Sequence, residues 1–92
     1  MGAFNDKRIA DYYGISIVVE GSAKLIGGSF RLYVDSERRD DVDVVFGRRT
    51  LRTKLSREGR DVPLEVECKL GFFGTSYKLI VDGEEHPLQK IK

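Results

Sequence analysis

The chain has 92 residues, of which 40% are hydrophobic and 34% charged, with 16 Lys+Arg against 15 Asp+Glu. That length allows one small domain burying roughly 60–65% of the surface its unfolded form exposes. The net charge of +1 excludes a strongly basic nucleic-acid arm or an acidic tail as a whole-chain property.

Residues 1–14 are expected as an N-terminal segment, flexible or carrying one helical turn, ahead of a β-domain over residues 15–92. From residue 15 onward apolar side chains recur at every second position, the signature of half-buried antiparallel strands. Ile15, Ile17 and Val19 share one face of a first strand, and Phe30, Leu32 and Val34 share one face of a second. Val42, Val44 and Phe46 follow over residues 41–46, then Leu51, Thr53 and Leu55 over residues 50–55. Leu64, Val66, Cys68 and Leu70 alternate with charged residues, as do Tyr77, Leu79 and Val81 with Ser76, Lys78, Ile80 and Asp82. A last strand over residues 85–91 is interrupted by Pro87 and belongs at an edge or a bulge.

Turn chemistry falls between these runs. Asp82-Gly83 favours a type I′ hairpin, which needs positive φ at both central residues. Gly27-Gly28, Glu58-Gly59 and the stretch from Gly71 to Gly74 mark further reversals. Gly47-Arg48 fits a type II′ turn, predicting a hairpin over residues 41–55. Its register sets Val44 against Leu51, Val42 against Thr53, Asp43 against Arg52 and Asp41 against Lys54. Such charge pairs contribute roughly 0.2–1 kcal/mol each.

A self-similarity about 46 residues apart organises the whole. Ser29 to Glu37 matches Ser76 to Glu84 with five identities in nine positions, and Glu20 and Lys24-Leu25 have counterparts in Glu65 and Lys69-Leu70. Two copies of one β-unit joined by the 41–55 hairpin predict two small sheets face to face, an all-β antiparallel sandwich of about seven or eight strands.

The run from Val66 to Leu88, with its Tyr77-Lys-Leu-Ile-Val-Asp-Gly83 element, resembles a strand pair of the Fas apoptotic inhibitory molecule (FAIM) family. So does the run from Val19 to Glu37, through its Glu-Gly, Gly-Gly and Leu-Tyr-Val-Asp elements. The resemblance covers one domain of a family that carries tandem β-sandwiches, and it implies that fold and a non-catalytic binding character. The chain departs from the family in having no tryptophan.

Chemistry-bearing residues are few. One cysteine and one histidine exclude a disulfide framework and a protein-only structural zinc site. Cys68 alternates with Val66 and Leu70 and is expected inward, as a small core hydrophobe of raised pKa. His86 has no nucleophile-elbow serine to serve, and Asp40, Asp41 and Asp43 lack calcium-loop spacing. No catalytic residue, cofactor or metal is therefore assigned.

Two binding surfaces remain. Tyr33 and Ile80 hold equivalent outward positions in the repeat and either form a contact patch or lie covered by a loop or the N-terminal segment. The last strand is a second contact surface, since an unpaired edge accepts a partner strand. Arg48, Arg49, Arg52, Lys54, Arg57 and Arg60 form the basic run of the chain, suited to nucleic acid or anionic lipid but partly neutralised by the proposed pairing. The expected function is a non-enzymatic protein-interaction module, binding another protein or a second copy of itself. Anion binding through residues 48–60 is the alternative. Apolar runs are too short for a membrane-spanning helix, no secretory h-region is present, and the composition fits a reduced, cytoplasmic setting.

Overall fold

The computed structural model describes residues 5–71 and 74–90. Phe4, Phe72, Phe73 and Ile91 lie outside that range. The described residues form nine strands: β1 (Asn5–Tyr12), β2 (Ile15–Ala23), β3 (Gly28–Val34), β4 (Glu37–Val44), β5 (Gly47–Arg57), β6 (Arg60–Gly71), β7 (Gly74–Val81), β8 (Glu84–His86) and β9 (Gln89–Lys90). They make two antiparallel sheets, one ordered β4-β3-β2-β1-β9 and the other β5-β6-β7-β8. The all-β class and the two-sheet arrangement agree with the alternation read from the sequence.

Each sheet holds one copy of the repeat, and the pairing shows the copies to be structurally equivalent. Ile17 pairs with Val34 and Val19 with Leu32 in the first sheet, and Leu64 pairs with Val81 and Val66 with Leu79 in the second. The amide of Asp35 donates to the Ser16 carbonyl at 2.8 Å, and that of Asp82 to the Pro63 carbonyl at 2.9 Å. On this register Glu20, which faces Arg31, corresponds to Glu67, which faces Lys78, rather than to Glu65. Whole meanders therefore match, β1–β4 against β5–β8.

The inward positions close a dry interior. Ile17, Val19, Phe30, Leu32, Leu51, Leu64, Val66, Cys68, Leu79 and Val81 are all buried, and among the described residues no polar or charged one is fully buried with them. Each such aliphatic or aromatic side chain contributes roughly 1.5–3 kcal/mol by leaving water. Repeat-equivalent Phe30 and Tyr77 meet edge to face with centroids 5.7 Å apart. Gly21 makes room for them, since a Cβ there would lie 2.6 Å from the Tyr77 hydroxyl.

Three expectations are corrected. Residues 5–12 of the N-terminal segment form a strand, β1, paired along its length with β2. The 41–55 hairpin does not form: β4 pairs with β3, β5 pairs with β6, and Val45-Phe46 carries the chain from one sheet to the other. Asp43 accordingly meets Lys24 at 2.9 Å, while Arg52 meets Glu65 at 3.2 Å. Phe46, expected on the core face, is 56% exposed. Pro87 does interrupt the last strand, splitting it into β8 on one sheet and β9 on the other.

Candidate functional site

The pseudo-symmetry defines two seams where the sheets meet at their edges, and it makes their difference informative. Along the β4–β5 seam the edges are laced together. Asp40 accepts from the Arg52 amide at 2.8 Å, and Arg39 donates to Thr53 Oγ1 at 3.2 Å and to the Lys54 carbonyl at 2.9 Å. The equivalent seam lies between β8 and β1, where β8 has only three residues against the eight of β4. It stays open as a groove of about 400 Å³ lined by Ile9, Ala10, Asp11, Tyr12, Leu79, His86, Pro87 and Gln89.

Both walls of that groove offer free strand edge. β9 pairs only with Arg8 and Ile9 of β1, so residues 10–12 have a strand partner on one side alone among the described residues. β8 is likewise paired only with β7. The floor is apolar, with Leu79 buried and Ala10 and Tyr12 packed against the core. Tyr12 meets His86 edge to face at 5.3 Å, and His86 Nε2 is buried without a hydrogen-bond partner among the described residues.

At one end of the sandwich a polar cluster closes the space between the sheets. Arg8 grips Asp6 through Nε at 3.2 Å and Nη2 at 3.3 Å, and Thr75 of the opposite sheet donates to Asp6 at 3.0 Å. Burial pushes the Asp6 carboxyl up, but Arg8, Thr75 and Lys90 together outweigh it and hold the group below the ordinary aspartate value. Arg8 also lies 5.0 Å from the centre of the Tyr77 ring. Burial raises the Tyr77 phenol to about 12. Burial likewise raises the Cys68 thiol to about 12, so it is a packing residue of little nucleophilic character at neutral pH.

The residues singled out in the sequence are dispersed. Tyr33 lies between buried Leu32 and Val34, and Ile80 between buried Leu79 and Val81, so each faces out of its own sheet. They stand on opposite faces of the sandwich, both half-buried, and share no patch. The basic run follows β5, and Arg48 and Arg57 are about 30 Å apart at ~3.3 Å per residue. Arg48, Arg52 and Lys54 face outward, Arg57 lies over Tyr13 at 3.8 Å, and Arg60 pairs with Asp82 at 3.1 Å. They do not converge. Among the described residues no three His, Cys, Asp or Glu side chains are grouped to hold a metal ion, and no helix could cross a membrane.

The groove residues escaped sequence reading because the seam arises from the topology of two distant copies. The available signal was the unequal tail of the repeat, where Glu84-Glu-His86 stops at Pro87 while its counterpart runs on to Val44. No family model, curated protein or solved structure matches the chain.

Proposed function

We propose that the domain is a non-enzymatic protein-interaction module that takes an extended segment of its partner into the β1–β8 seam. The observation that carries this reading is the open seam itself, with strand edge on both walls that no other described strand covers and an apolar floor between them. An added strand would satisfy the free edge of β1 beyond Ile9, and one of its side chains would drop beside Ala10, Tyr12 and Leu79. Backbone pairing supplies affinity in this mode and the pocket supplies selectivity. His86, packed edge to face on Tyr12, forms part of the wall that such a segment would meet. The FAIM resemblance of the two repeat copies is in keeping with such a binding role.

Selection of binders from a library of extended peptides, followed by amide chemical-shift mapping, tests the reading. Shifts should concentrate at residues 9–12, Leu79 and 84–89, and Ala10→Trp should abolish them by filling the groove. Selected peptides that map to the outer faces of either sheet would overturn it, as would a library that yields none.

A further inference from the structure

The end of the sandwich opposite its tight turns carries apolar side chains that stand largely outside the core. Leu25 is fully exposed, Ile26 is 68% and Val45 67% exposed, and Phe46 beside them is also largely outside the core. They come from two connections, the β2–β3 loop and the crossover between sheets, which are built as one unit. Gly27 sits so tightly on the crossover that a Cβ there would lie 2.1 Å from the Val44 carbonyl oxygen and 2.6 Å from the Val45 Cα. The contact sets the connection that carries Leu25 and Ile26 against the one that carries Val45 and Phe46, as one platform.

Among the described residues the charge around this platform is mainly positive. Lys24, Arg48, Lys69 and Lys90 lie on or next to the loops of this end and are exposed. Of its described carboxylates, Asp6 is held by Arg8 and Thr75, Asp43 is held by Lys24 in a solvent-exposed pair that contributes little, and Glu67 shares a surface hollow with Arg48, Lys69 and Lys78. The domain measures 46 × 24 × 21 Å, and twelve-residue β6 spans about 40 Å of that length. Apolar tips ringed by lysine and arginine at the narrow end of a rod match the boundary layer of a bilayer, hydrocarbon below and anionic headgroups at the rim.

We propose that this loop end docks on membranes carrying anionic lipid, inserting Leu25, Ile26 and Val45 at the headgroup boundary while Lys24, Arg48, Lys69 and Lys90 meet headgroup phosphates and carboxylates. The site is separate from the β1–β8 seam and leaves it open to a partner.

Vesicle flotation tests the assignment, using phosphatidylcholine alone and phosphatidylcholine with roughly a third phosphatidylserine, at low and physiological salt. The protein should float with the anionic vesicles, weakly or not at all with the neutral ones, and less as salt rises. Leu25→Ser/Ile26→Ser should lower partitioning about tenfold or more with an unchanged circular dichroism spectrum. Lys69→Gln/Lys90→Gln should lower it about fivefold per lysine. Failure to float with anionic vesicles at low salt would overturn the proposal, as would undiminished flotation of the serine variant. It would equally fall if the protein forms a lipid-independent dimer that the serine variant dissolves, which would give the patch to a second copy. Retention on heparin without vesicle binding would give the cations to a soluble polyanion instead, against the proposal.

Discussion

At one end of the sandwich the chain reverses four times, each in two residues; at the other it crosses between strands and between sheets through the apolar connections that carry Leu25, Ile26, Val45 and Phe46. The tight turns pair positive-φ residues, Tyr13-Gly14, Asp35-Ser36, Glu58-Gly59 and Asp82-Gly83, the pattern that matches the twist of antiparallel strands. Charge separates in the same way. The turn end carries Asp11, Asp35, Glu37, Glu58, Asp61, Asp82, Glu84 and Glu85 against Arg38, Arg57 and Arg60, whereas exposed lysines and Arg48 border the loop end. Local turn chemistry builds one end, and contacts between distant loops build the other. A substitution at a turn glycine should therefore cost little, and one where the distant loops touch each other much.

The largest effect tests this directly. Gly27 and Gly83 both have positive φ, +81° and +82°, so alanine is equally strained at either. Beyond that they differ: nothing lies within 4 Å of a Cβ at Gly83, while one at Gly27 meets backbone at 2.1 Å. Gly83→Ala should cost about 1 kcal/mol, and Gly27→Ala about 3 kcal/mol or more, because the crossover must move. Urea unfolding measures both. Equal losses would mean that Gly27 does not key the two loops together.

A smaller effect concerns the polar cluster that replaces apolar packing at the loop end. Asp6→Asn should cost about 1–2 kcal/mol at neutral pH by removing a charge-assisted pair with Arg8. The pH dependence has a fixed sign. The folded-state pKa of Asp6 is lowered, so its contribution is fully present above the unfolded value of about 3.9 and is lost as pH falls through the lowered one. The stability gap between wild type and variant should therefore be constant near neutrality and close in acid. A gap independent of pH down to acid unfolding would show that the carboxylate charge plays no part.

These elements also show what the sequence made legible. The repeat placed one β-unit in each sheet because its alternation and turn residues are local signals that survive into the fold. β1 stayed hidden because its inward positions are Asp6, Arg8, Ala10 and Tyr12, where an ion pair lying against the Tyr77 ring does the covering that a leucine would do elsewhere. The 41–55 hairpin fails to form for a different reason. Its register satisfied apolar matching and charge pairing at once, yet each charge pair is worth a fraction of a kcal/mol. β4 and β5 each have a better partner, reached through the positive-φ turns at Asp35-Ser36 and Glu58-Gly59. The seam and the loop platform depend on which strands end up opposite one another, which no local pattern carries.

The smallest effect lies within the turn end and asks whether its two repeat-equivalent turns differ only in chemistry. Asp35-Ser36 and Asp82-Gly83 join equivalent strands and make the same backbone contact to the neighbouring strand, but Ser36 holds φ at 70° with a side chain and Gly83 holds 82° without one. Glycine removes the left-handed strain while giving back some entropy to the unfolded chain, so Ser36→Gly should stabilise by about 0.5 kcal/mol. The reverse change, Gly83→Ser, should destabilise by a similar amount, and the double swap should leave the urea midpoint nearly where it began, since the two turns are far enough apart to add. A clear loss on Ser36→Gly would mean that the Ser36 side chain stabilises its turn by more than its backbone strain costs. The two copies would then have diverged in how they reverse the chain, and the tolerance of the turn end would have to be argued turn by turn.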